Sequence, residues 1–167
     1  TDGITVNQAQ EATARVTQNW QSAPPITAVE SSEDLPADIQ RALRGEQNLE
    51  SIRGIYHEGQ VYLIASNIPD QATAERTILH ETIGHYGLRR VIGSDIGQVL
   101  NQVWMSYGRT GHQSIIDRYF SNDYPFDADN QAHRDLVAEE KLAEVAESGQ
   151  APTLVQRAIA AIRGFLR

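Results

Sequence analysis

The sequence predicts an α+β domain, with a small antiparallel sheet in the first half and helices through the remainder. Two observations carry this. The run Val61-Tyr62-Leu63-Ile64-Ala65 is apolar on both sides of its alternation and follows a turn at His57-Glu58-Gly59, which is the pattern of a hairpin whose second strand is buried. Beyond that run the chain reads as nearly all helix, so strands and helices segregate rather than alternate.

Each element has a local reason. Residues 7–21 read as a polar helix that stops at Pro24-Pro25, because proline lacks the donor and clashes with the preceding turn. Ile26-Thr27-Ala28-Val29 reads as a short strand. Residues 34–44 read as a short helix with Gly45 as its C-cap. The hairpin occupies residues 52–63. A helix over residues 72–91 starts at Pro69-Asp70 and ends at Gly93. Ser94 caps a helix that runs to about Tyr107, and Gly111 precedes another that ends near Phe120. Residues 121–129, with Pro125, form a loop, and residues 130–147 form a long helix. The last helix starts near Thr153 and sets Leu154, Ala158, Ile162 and Phe165 on one core-facing stripe.

The bulk numbers narrow the function classes. At 167 residues the chain has the size of one domain. A formal net charge of −8 disfavours nucleic acid and anionic membranes as partners, since both repel an acidic surface. With no cysteine, any metal ligands come from His, Asp and Glu. No apolar run approaches the roughly 20 residues of a membrane span. The first residues have neither the basic start nor the apolar stretch of a signal peptide. They also lack Met, and the expectation is a single domain, 1–167, cut from a longer protein.

The chemistry concentrates in one run, His80-Glu81-Thr82-Ile83-Gly84-His85, read as the H-E-x-x-H motif of a zinc site. On an α-helix, positions i and i+5 lie about 140° apart around the axis, with long rings that can still converge on one ion. Glu81 lies between the two histidines in angle, so its carboxylate can reach a water rather than the metal. Zinc suits two neutral imidazoles and a carboxylate, with a fourth position left open. Glu81 is then the general base.

A third ligand is required. The sixth residue after His85 is Val91, which excludes the metzincin pattern. The helix containing Ala138-Glu139-Glu140-Lys141-Leu142-Ala143-Glu144 offers a Glu instead. Glu140 and Glu144 are one turn apart, so Glu140 can bind zinc while Glu144 hydrogen-bonds the free nitrogen of a ligand histidine. Glu139 is the competing ligand. Gly84 lets this second helix approach closely.

His80-Glu81 through His85, followed by Glu140-x-x-Ala143-Glu144, resembles the gluzincin branch of the zincin-like metallopeptidases. The stretch 52–89 is similar to metallopeptidase domains inside large multidomain proteins of bacteriophages and prophages. The resemblance implies a zincin-like fold carrying its active site on the helix of His80. It also implies zinc-dependent peptide hydrolysis with His80, His85 and Glu140 as ligands, and partners that are a peptide or protein substrate and other domains of a parent protein. The implied location is the bacterial cytoplasm or a phage particle. The alternative is a zincin-like domain that binds metal or protein without turnover. An oxyanion donor could be His112, His133, Tyr119 or Tyr124, and the sequence does not select among them. His112 and His133 are otherwise expected at the surface, and His57 facing water.

Overall fold

The hairpin turn sets the sheet. Glu58 and Gly59 take φ of 48° and 82°, the two positive values that a two-residue type I′ turn requires. Strand β2 (Gly54–His57) thereby turns back antiparallel on β3 (Gln60–Ile64), with Ile55 opposite Tyr62. The computed structural model describes residues 3–46, 48–91, 96–148 and 153–167, and it adds a pairing that the sequence reading lacks. Strand β1 (Ile26–Val29) runs parallel to β3, Ile26 beside Val61 and Val29 beside Ile64. The sheet is therefore mixed, in the order β1-β3-β2, and the expectation of an antiparallel sheet is corrected. Parallel partners need a crossover of about a dozen residues or more. Residues 30–59 supply it, carrying the short helix α2 (Ala37–Ala42) and β2.

Strand β3 is central, so both its edges are paired, and both its faces are covered, as its unbroken apolar run predicts. Leu63 packs with Ala9 and Ala12 of helix α1 (Val6–Thr17) and with Ala74 and Ile78 of α3 (Gln71–Leu79). Ile64, on the opposite face, packs with Leu35 and Ile39. A capping box starts α1: Thr5 Oγ1 accepts the Gln8 N–H at 3.2 Å and Gln8 Oε1 accepts the Thr5 N–H at 2.9 Å. Asp70 caps α3 by accepting the Thr73 N–H at 2.6 Å, and that bond holds its carboxyl below the usual range.

The chain divides into two units, residues 1–82 with 166–167, and residues 83–165. In the second, helix α5 (Ile96–Gly111) and helix α6 (Gln113–Tyr119) both pack on α7 (Gln131–Ser148). Ile115, Ile116 and Val137 form the core there with Trp104, Phe120 and Phe126. Helix α8 (Thr153–Leu166) ends the chain. Among its described side chains Ile159, Ile162 and Leu166 are buried, while Phe165 is 39% exposed. The stripe is thus turned from the expected one, so that Ile159 and Leu166 are buried instead of Phe165. Gly93, Ser94 and the Leu154 side chain lie outside the described residues. Among those described, no helix is long and apolar enough to cross a membrane.

Candidate metal centre

The helix that begins at Asp70 changes its winding at the first histidine. After α3 comes a π-helical stretch, His80–Gly87, and then a closing α-helical turn, α4 (Leu88–Val91). The reason lies in the count of residues. Thr82, Ile83 and Gly84 separate Glu81 from His85, so the run is H-E-x-x-x-H. The H-E-x-x-H reading is corrected: this chain carries one residue more. An extra residue in an α-helix is absorbed as a π turn, in which the N–H of residue i+5 bonds to the carbonyl of residue i. Residues five apart then come closer in angle than the about 140° that α-helical winding gives. His80 and His85 are such a pair, and their ligand atoms come within 4.8 Å of one another. Thr82 supports the altered turn, its Oγ1 donating to the Ile78 carbonyl at 2.6 Å.

Glu81 is 8% exposed and rests on the sheet. A Cβ at Gly54 would stand 2.6 Å from Thr77 Cγ2 and 3.1 Å from Glu81 Cγ, so β2 needs glycine where the helix crosses it. Glycine inside a strand marks such a close approach, a signal present in the sequence that points to no partner by itself.

Around His85 the second unit builds a carboxylate cluster. His85 Nδ1 lies 3.0 Å from Glu139 Oε1, and His85 Nε2 lies 3.4 Å from Glu140 Oε1. Arg89, one turn beyond His85, donates through Nη2 to both oxygens of Glu139, at 3.0 and 2.9 Å. A close helix contact makes this possible. A Cβ at Gly84 would overlap both Cβ and Cα of Ala143 on α7, so these two small residues let α7 bring Glu139 and Glu140 up to His85. The approach expected of Gly84 is therefore present.

Glu144 stands elsewhere. Its Oε1 accepts from Arg118 Nη2 at 2.7 Å, and the carboxylate on the His85 ring is Glu139. The assignment of Glu144 to the ring nitrogen is corrected on that ground. Sequence spacing put Glu140 and Glu144 on one face. Of these acidic residues it is Glu139, the neighbour of Glu140 in sequence, that meets Nδ1 while Glu140 meets Nε2.

The remaining histidines also differ from expectation. His112 is fully buried, stacked on Trp104 with ring centroids 4.9 Å apart. Burial holds its pKa below the ordinary imidazole value. His133 is buried too. Its Nδ1 accepts the Asp127 N–H at 3.0 Å and its Nε2 faces Tyr124 Oη at 3.1 Å. Each ring fills an aromatic core, which charge and spacing alone do not reveal. Tyr119 and Tyr124 are exposed. His57, expected to face water, is half-buried and pairs with Asp38 at 2.9 Å. That bond is the main cause lowering the Asp38 pKa.

The donor set can be tested against zinc. Two ligands about 2.0–2.2 Å from a tetrahedral zinc are separated by about 3.4 Å. The His85 Nε2 to Glu140 Oε1 separation is 3.4 Å, longer than a well-formed N–H···O bond of about 2.7–3.2 Å. Two imidazole nitrogens and a carboxylate oxygen are also the donor types that zinc takes. His80, His85 and Glu140 thus offer donors that could hold a metal ion. Compared with family models, with curated protein sequences and with solved structures, the chain matches none.

Proposed function

We propose that this chain is a zinc metallopeptidase of the zincin type, with His80, His85 and Glu140 as metal ligands and Glu81 as general base. The observation that carries the reading is the meeting of His85 and Glu140 at a separation suited to shared coordination, with His80 offering a third ligand atom within 4.8 Å. Zinc held there would polarise a substrate carbonyl and bring the pKa of a bound water down to about 7. The chain's own residues do the rest. Glu81, one residue after His80 and largely buried, takes the proton of the attacking water on its carboxylate and passes it to the leaving amine. The likeness of Glu140-x-x-Ala143-Glu144 to the gluzincin ligand helix, and that of residues 52–89 to phage and prophage metallopeptidase domains, supports peptide hydrolysis over other zinc chemistry.

One observation favours a second reading, in which the domain binds metal or a protein partner without turnover inside a larger phage protein. The motif has a residue more than the zincin pattern, and the π turn shifts Glu81 relative to both histidines. A cleavage assay on an unfolded protein separates the two. The peptidase reading expects cleavage that a chelator abolishes and added zinc restores. Zinc-loaded protein that cuts nothing across a panel of unfolded substrates would leave the binding-only reading standing.

A further inference from the structure

We infer that Glu139 is a positioning residue for His85, held in place by Arg89, a role that spacing assigns to Glu144. The inference rests on the proposed metal site but is argued from the second unit alone. A carboxylate oxygen only accepts hydrogen bonds. Glu139 Oε1, 3.0 Å from Nδ1, can therefore only accept from an Nδ1–H, and with a cation held between Nε2 and Glu140 Oε1 the single ring proton would be the one on Nδ1. That is the tautomer a metal ligand needs, and the bond also fixes the ring plane.

Glu139 is itself constrained. Its side chain is only 14% exposed, and both oxygens bond to Arg89 Nη2. Arg89 follows His85 by one helical turn, so the helix that presents the imidazole also presents the guanidinium that orients its partner. Arg89 supplies a second service: Glu139 and Glu140 are adjacent carboxylates on one ring, and Arg89 offsets the charge of Glu139. By contrast the Glu144 carboxylate is committed to Arg118 at 2.7 Å.

Two measurements on Glu139→Gln, Arg89→Gln and Glu144→Gln test this. The first uses metal-free protein at about pH 8, above the ordinary histidine range, and reads the His85 ring nitrogens by heteronuclear NMR. Wild type should show an Nδ1–H held in its bond to Glu139 and slow to exchange, whatever proton Nε2 carries. Glu139→Gln should lose part of that hold, because an amide can turn either its oxygen or its NH2 towards the ring. The second is a zinc competition titration. Glu139→Gln should bind about 10- to 100-fold more weakly, Arg89→Gln should lose less in the same direction, and Glu144→Gln should match wild type in both measurements.

The outcomes separate the two claims. If wild type takes up no zinc, the proposed function fails while the NMR still decides the role of Glu139. If wild type binds zinc and Glu139→Gln matches it in Nδ1–H exchange and affinity, this inference is overturned and the metal site stands. A loss confined to Glu144→Gln would return the role to that residue.

Discussion

Glu81→Gln is expected to keep its zinc and lose at least about 100-fold in peptide cleavage. Glutamine reproduces the shape of glutamate but cannot take a proton from water at neutral pH. The site has little tolerance for other changes at this position, because Glu81 is 8% exposed and its stem lies against the backbone of Gly54. An isosteric replacement should thus leave the helix and both histidines where they are. Cleavage rate and zinc content are to be measured on the same preparation. A variant that cleaves at the wild-type rate would remove Glu81 from the role of base. A variant that loses both zinc and activity would show a structural effect and not a chemical one.

Gly84→Ala is expected to weaken zinc binding by about 100-fold or more and to lower stability by about 1–3 kcal/mol, the usual cost of overpacking. The added methyl would overlap Cα and Cβ of Ala143. Neither atom can rotate away, so α7 must move off the motif helix and take Glu139 and Glu140 with it. Gly97→Ala on α5 is the control, since a Cβ there meets nothing within 4 Å and alanine favours a helix by about 1 kcal/mol. Thermal unfolding and zinc titration of the two variants should change in opposite senses for stability, with a zinc effect for Gly84→Ala alone. Wild-type zinc affinity in Gly84→Ala would mean that the contact with α7 does not set the site.

Much of the local structure was legible because its causes are local. The turn at Glu58-Gly59 and the cap at Asp70 depend on single residues and their φ preferences, whereas α1, expected to run to Gln21 and stop at Pro24-Pro25, already ends at Thr17. The parallel pairing of β1 with β3 was not legible, since it depends on a crossover whose path no short-range signal specifies. The site divides in the same way. His80, Glu81, His85 and Glu140 stood out by residue type. The π turn did not, because angular arithmetic at α-helical pitch presumes the winding that the extra residue changes. Glu139 was weighed as a ligand and Glu144 as the ring's partner. Which of two acidic residues meets Nδ1 depends on how α7 rolls against Gly84, a tertiary quantity. The burial of His112 and His133 depends on aromatic neighbours brought from other helices.

The central claim is that His80, His85 and Glu140 hold one metal ion. Elemental analysis of the chain, purified without added metal and without a nickel column, tests it most directly. The account predicts about one zinc per chain, in keeping with two histidines and a glutamate that leave the fourth position open, and a marked loss in Glu140→Ala. Less than about a tenth of an equivalent, with none taken up when zinc is added, would contradict it.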